Sequence, residues 1–187
     1  MKFILASASP RRKYLLEETD YAFDIQPLNI DETFSDDLAN DKVALFLARE
    51  KGKAALEKFG TDPLILSADS VVLLEHQVLG KPGNYDASMA MLNELSGKSH
   101  EVHTGFHLSY KGKVHAETVI SKVSFDEISE KEAQYYVTKY KPYDKAGSYG
   151  IQEWIGHNKI NRIEGSYTNI VGLPMREVYR AIQEITA

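Results

Sequence analysis

LILSADSVVLLEHQVLG, residues 64–80, is the stretch on which the fold turns. Leu64–Leu66 and Val71–Leu74 are apolar runs of strand type, and the residues from Glu75 to Gly83 (EHQVLGKPG) read as a hairpin-like return. Ser67-Ala68-Asp69-Ser70 breaks the run in the middle, and a carboxylate in that setting needs a cause. An acid between two apolar runs is partly desolvated unless it is paired or metal-bound, which suits Asp69 to work as a general base or a metal ligand. In the competing reading the strand ends at Ser67 and Asp69 makes an Asx-turn.

Outward from this stretch the chain mixes strands and helices. Lys2–Ala6 is a compact apolar strand, and Ser9-Pro10 then starts a helix with serine as N-cap and proline at the first position. Tyr21–Pro27 alternates as a strand, and a polar loop through Asp31 and Glu32 follows. Asn40 or Asp41 caps a long helix to about Phe59, with Gly60 as its stop. Residues 86–96 form a helix closed by Gly97, and residues 101–125 hold two alternating strands around Lys111-Gly112-Lys113. Ser129 and Glu132 make a capping box for a helix through about Tyr140, residues 157–173 read as loop and strand, and Pro174 opens a final helix. Elements interspersed in this way, rather than strictly alternating, predict an α/β fold with a mixed sheet and flanking helices.

Positive charge stands where helix physics disfavours it. At the start of the first helix several N–H groups lack partners and the macrodipole is positive, yet Arg11 and Arg12 are placed there. A phosphate in front of them resolves the conflict, because helix N-termini, the Ser9 hydroxyl and forked guanidinium groups all suit phosphate oxygens. If both arginines instead point sideways into solvent, the dipole penalty is only about 0.3–1 kcal/mol each. The stretch has no Gly-Lys-Ser/Thr, so a kinase-type phosphate cradle is not indicated.

Composition narrows the partners. A chain of 187 residues, 43% hydrophobic, can bury one core and fits one domain, with room for two lobes. Its formal net charge of −5 argues against a general nucleic-acid binder, so a polyanion it handles is small and held locally. No cysteine is present, which excludes disulfides, thiolate chemistry and Cys-ligated zinc. The first apolar run is too short for a signal peptide and no segment reaches membrane-span length, so the expected location is the cytoplasm.

Further candidates are weaker singly. Ala44, Leu47, Lys51 and Ala55 share a helix face, so Lys51 interrupts a stripe that should be buried, through snorkelling or through function. Asp31 and Glu32 lie in a loop that could close beside the Ser9–Arg12 turn, where a second carboxylate near Asp69 would supply oxygen ligands for Mg²⁺, or they form an exposed acidic pair. Lys81 and Lys145 are cations that could reach phosphate, or solvated surface lysines. Tyr149, Trp154 and Tyr167 near glycines would suit a stacked base, or serve as core aromatics. His103 and His107, four apart in a strand, do not make a compact zinc site.

Taken in order, several pieces resemble the Maf family, the septum-formation-inhibitor-like nucleoside triphosphate pyrophosphatases. They are Ser7-Ala8-Ser9-Pro10-Arg11-Arg12, Asp31-Glu32, Ala48-Arg49-Glu50-Lys51, Ala68-Asp69-Ser70-Val71-Val72, Leu79-Gly80-Lys81-Pro82, Leu95-Ser96-Gly97, His103-Thr104-Gly105, residues 144–152 and Asn169–Pro174. The resemblance implies one Maf-like domain over residues 1–187, a deep central cleft, a fold akin to inosine-triphosphate pyrophosphatases, and a homodimer.

It further implies hydrolysis of a nucleoside triphosphate to the monophosphate and pyrophosphate with a divalent cation, Mg²⁺ or else Mn²⁺. Asp69 matches the proton acceptor, and Arg11, Arg12, Glu32, Lys51 and Lys81 match pocket residues, with Ser9 in the phosphate turn. Gln152, with Arg11 and Ser70, matches positions linked to base choice, and the Tyr-Gly-Ile-Gln ending resembles the dTTP/UTP branch rather than the 7-methyl-GTP branch. Ser70 stands where that branch has threonine, and Gly52 where alanine is usual. Joined to the residue reading, this puts the metal on Glu32 and Asp69. The same pocket could serve a nucleotide-sensing regulator of division, or a phosphatase releasing inorganic phosphate.

Overall fold

Strand β1 (Phe3–Leu5) is only three residues long, yet all its side chains are buried, each contributing about 1.5–3 kcal/mol. The computed structural model describes residues 1–35 and 37–187. After β1 come α1 (Pro10–Glu17), β2 (Asp24–Ile25), a 3-10 turn (Asn40–Lys42), α2 (Val43–Phe59), β3 (Leu64–Leu74) and β4 (Gln77–Leu79). The remaining elements are α3 (Tyr85–Leu95), β5 (Ser99–Tyr110), β6 (Lys113–Phe125), α4 (Glu130–Tyr140), a second 3-10 turn (Ala146–Ser148), α5 (Trp154–Lys159), β7 (Ile160–Glu164), α6 (Tyr167–Val171) and α7 (Met175–Thr186). The strands form a seven-stranded sheet in the order β2-β1-β3-β5-β6-β7, with β4 paired to β3. β1 is parallel to both β2 and β3, whereas β3–β4 and β6–β7 are antiparallel, so the sheet is mixed.

Local expectations hold where short-range chemistry decides. Ser9 accepts from the Arg12 amide at 3.4 Å as N-cap of α1, with Pro10 at its first position. Ser129 and Glu132 form the capping box of α4, and Gly60 stops α2.

Elsewhere packing overrides the pattern. The Tyr21–Pro27 strand shrinks to Asp24–Ile25, both exposed, with Pro27 unable to extend the ladder. The cap position of α2 falls on Lys42, without a side-chain capping bond, and Asn40 and Asp41 lie in the preceding 3-10 turn. Strand β3 runs unbroken from Leu64 to Leu74, so the expected break at residues 67–70 and the Asx-turn reading of Asp69 are both corrected. Strand β5 is buried continuously from Val102 to Ser109 rather than alternating, as befits a central strand covered on both faces. The stretch expected as loop and strand adds the helical turns of α5 and α6 around β7.

The chain divides into two compact units, one of Met1–Ser70, Thr104–Val119 and Gly172–Ala187, the other of Val71–His103 and Ile120–Val171. In the first, Ile4, Ala6, Ala55 and Ile65 form a core cluster with Leu28, Leu56 and Phe59 against it. Gly105 lets α2 lie directly on β5: a Cβ there would meet the Ala44 carbonyl at 2.5 Å. Helix α7 buries Val178, Ala181, Ile182 and Ile185, a stripe of helical period. In the second unit, His100, Phe125 and Tyr149 pack ring to ring, with centroids 5.0–5.3 Å apart. Tyr149 is therefore a core aromatic rather than an open stacking surface. Among the described residues no helix is long and apolar enough to cross a membrane.

Candidate active site

Because β3 continues through Asp69, its alternation fixes what each polar side chain meets. Ser67 and Asp69 share a face directed at α2, where the Ser67 hydroxyl donates to the Ala48 carbonyl at 2.8 Å and the Asp69 carboxylate pairs with Lys51. Lys51 lies one turn beyond Ala48 on the buried stripe of α2, so the polar interruptions of helix and strand answer one another. Lys51 also reaches Glu32 at 2.8 Å, so one ammonium holds two carboxylates. The Lys51 and Asp69 side chains are only 11% and 13% exposed, whereas Glu32 is 44% exposed. The interruption of the helix stripe is thus an ion pair, not a snorkelling stem. Asp31 accepts from the Thr33 amide at 3.0 Å, a turn contact that presents the Glu32 loop.

Ser70 points away from Asp69. Its hydroxyl lies 2.9 Å from that of Thr104 and 3.2 Å from Arg12 Nη2. Arg12 Nε donates to the Gly172 carbonyl at 2.8 Å and Nη1 to the Ser7 hydroxyl at 3.3 Å. Burial presses the Arg12 guanidinium below its ordinary pKa; Asp69 opposes this, Arg11 adds to it and Glu32 opposes it. Three of the five guanidinium N–H directions are thereby spent inside the protein. Arg12 ties the serine turn, β3 and Gly172 into one frame. Thr104, Ser7 and the Gly172 carbonyl were legible only as pieces of motifs; the Thr104 and Gly172 bonds span 34 and 160 positions and leave no local sequence signal.

Gly52, the departure beside Lys51, has a partner that accounts for it. An added Cβ would collide with the His107 imidazole ring. His107 is buried, and burial, followed by the charge of Arg49, lowers its pKa.

The other expected residues belong to the second unit. Lys81 is exposed on the turn after β4, and Gly80 of that turn accepts from the Gly147 amide at 3.2 Å. Gln152 is exposed, its carbonyl 3.1 Å from His157 Nε2. Lys145 is ion-paired to Asp144 at 3.4 Å and Glu153 at 3.2 Å.

For a cation, the donor set is the two carboxylates that converge on Lys51. Among the described residues no group of three or more His, Asp or Glu could hold a metal ion. Two hard oxygen donors fit Mg²⁺ or Mn²⁺, which keep waters and take further oxygens from substrate phosphates. The arrangement can hold a polyanion, orient a carboxylate base and share a hard cation.

Known proteins resemble this chain over nearly its whole length. The family model described as Maf-like protein matches residues 2–185. The chain is 43% identical over 185 residues to a dTTP/UTP pyrophosphatase of Phocaeicola vulgatus, covering 98% of this chain and 96% of that protein. It is 41% identical over 186 residues to a dTTP/UTP pyrophosphatase of Porphyromonas gingivalis, covering 98% and 94%. A solved nucleoside-triphosphatase, dITP/XTP pyrophosphatase, of Mycobacterium abscessus aligns with 98% of this chain and 94% of its own at a TM-score of 0.47 and 16% identity. With the motifs in order from the serine turn to Gly172 and the family model matched from residue 2 to residue 185, the chain belongs to the Maf family.

Proposed function

We propose that this protein hydrolyses dTTP and UTP to the nucleoside monophosphate and pyrophosphate. The observation that carries the reading is Lys51 held between Asp69 and Glu32, in a chain 43% identical to a protein named dTTP/UTP pyrophosphatase. Asp69 accepts the proton of the attacking water, and its contact with Lys51 fixes the carboxylate in the orientation needed. Ser9, Arg11 and the α1 N-terminus face the triphosphate, Lys81 adds charge, and Arg12 holds Ser70. Ser70 and Gln152 present polar groups to the base. Glu32 and Asp69 would hold Mg²⁺ or Mn²⁺, which neutralises charge developing on the phosphates.

The span of the family match, residues 2–185, supports reading the chain as one Maf-like domain with two lobes. The family resemblance supports a homodimer, and the nucleoside triphosphate substrate supports a cytoplasmic location. The test is to incubate the purified protein with Mg²⁺ and dTTP, UTP, CTP, dATP, GTP or 7-methyl-GTP, measuring pyrophosphate and phosphate separately. Pyrophosphate from dTTP and UTP supports the reading. Phosphate alone, or no turnover on any nucleotide, overturns it.

A further inference from the structure

The segment from Lys145 to Gln152 is held from beneath by a carboxylate that does not do the work its position suggests. Glu153 stands at the N-cap position of α5 but makes no side-chain capping bond, so both its oxygens are available to other partners. One oxygen pairs with Lys145 at 3.2 Å, and the other accepts from the Tyr136 hydroxyl. The Tyr136 oxygen accepts in turn from the Gly150 amide at 3.0 Å, and Tyr136 is fully buried in α4. A Cβ on Gly150 would stand 2.8 Å from the Glu153 carboxyl carbon, so the carboxylate fills the space that glycine leaves.

The segment it holds carries backbone strain. Ser148 is fully buried with φ of 59°, a left-handed conformation rare outside glycine, and costs of order 1–3 kcal/mol that the surroundings must over-determine. Gly147 beside it, at φ of 70°, packs its backbone on Val72, where a Cβ would come within 2.9 Å of the side chain. The segment ends at Gln152, whose exposed side chain offers one acceptor and two donors. A strained backbone, clamped at both ends and presenting an amide outward, is costly as mere scaffolding and useful for selecting a ligand.

We propose that Glu153 is a positioning residue for nucleoside selection: by holding Lys145 directly and Gly150 through Tyr136, it sets the conformation in which Gln152 meets the nucleoside. Lys145, flanked by Asp144 and Glu153, is the anchor of this segment rather than a phosphate ligand. The inference rests on the nucleotide-pyrophosphatase reading and deepens it.

Trp154, the single tryptophan, adjoins Glu153 and packs edge-on against Tyr135, centroids 5.2 Å apart, so its fluorescence reports on this region. Wild type and Glu153→Gln are titrated with the α,β-imido analogue of dUTP and Mg²⁺, following Trp154, and kcat and KM are measured on dTTP. Glu153→Gln keeps the shape but removes the charge that holds Lys145. The expected result is a Kd for the analogue and a KM for dTTP raised about tenfold, with kcat within about twofold of wild type. Tyr136→Phe, which frees the Gly150 amide, moves the same parameters in the same direction and carries the test should Glu153→Gln not fold. A Kd within about twofold of wild type in a folded variant, or kcat and KM failing together as in a general loss of structure, overturns the proposal. A wild-type protein that neither binds the analogue nor turns over dTTP overturns the underlying reading, and this one with it.

Discussion

Two clusters in this molecule use the same residue types in inverse order. In the unit that contains β1 and α2, one lysine sits between two carboxylates, Lys51 between Asp69 and Glu32. In the other unit, one carboxylate sits between a lysine and a phenol, Glu153 between Lys145 and Tyr136. The first stays open on one side, because two carboxylates share one ammonium and the Glu32 carboxylate is 44% exposed. The second closes on itself, because cation, carboxylate, phenol and Gly150 amide satisfy one another in series. An open cluster suits chemistry and a closed one suits holding a shape. Removing a charge from the first should therefore cost rate; perturbing the second unit should act on stability and binding.

The largest expected effect tests the open cluster. Asp69→Asn should lower pyrophosphate release by about 10³-fold, within the usual contribution of a positioned general base, while circular dichroism shows an intact fold. The fold survives because Lys51 keeps Glu32 as partner. A variant turning over at near-wild-type rate removes Asp69 from the chemistry.

Next, Lys51→Met strands the Asp69 carboxylate in a setting only 13% exposed. Losing one partner of a fully buried pair costs 3–5 kcal/mol; for this partly exposed site about 2 kcal/mol is expected, a fall in Tm of about 4–8 °C for a chain of this size. The double variant Lys51→Met, Asp69→Asn should recover part of that loss, since the charge that remains, on Glu32, is 44% exposed and open to hydration. Equal Tm in single and double variants would contradict the pairing energetics.

Gly52→Ala probes the same helix without touching charge. The His107 ring occupies the Cβ position, so overpacking should destabilise by about 1–3 kcal/mol, measurable by urea unfolding. In combination with His107→Ala the two costs should fall short of additive, and strict additivity would mean that the ring yields without strain.

The closed side has its own pH dependence. His100 is buried against Phe125 and Tyr149, its Nε2 2.7 Å from the Tyr149 hydroxyl, and burial lowers its pKa from 6.5 to about 4. The unfolded state therefore binds the proton first, and the stability contribution of neutral His100 is fully present above pH 6.5 and lost as pH falls towards 4. Tm measured from pH 7 to 4 should fall through this window, and His100→Gln should flatten the slope there. An unchanged slope would assign the acid sensitivity to other groups.

The smallest effect is a gain. Ser148→Gly relieves a left-handed backbone at the cost of a freer unfolded chain, so a rise in stability of about 1 kcal/mol or less is expected by thermal unfolding. A loss would show that the serine hydroxyl carries more than the strain costs.

What could be read in advance follows the range of the interactions. The start of α1, the capping box of α4 and the stop of α2 depend on side chains within four residues of the groups they serve, so their sequences state them. The limits of β2, the continuity of β3 and the double-sided burial of β5 depend on neighbours far along the chain. An interrupted apolar run such as residues 64–74 looks broken in one dimension, because nothing local says that α2 will bring Ala48 and Lys51 to meet Ser67 and Asp69. Tyr136 and Glu153 gave no signal, since an aromatic on a helix stripe and an acid before a short helix are ordinary.

The sequence by itself therefore determined the inventory: a mixed α/β chain, a serine turn with two arginines, an acid among apolar residues, a lysine on a buried stripe, and the ordered motifs of the Maf family. Only the tertiary structure decided the pairing. It committed Arg12 to Gly172, Ser7 and Ser70, set Lys51 between Asp69 and Glu32, placed His107 over Gly52, and turned Glu153 from its helix to Tyr136 and Lys145. The physical reason is that a charge near the core must find a partner, and the partner is chosen by which elements the packing of apolar faces brings within hydrogen-bonding reach, not by distance along the chain.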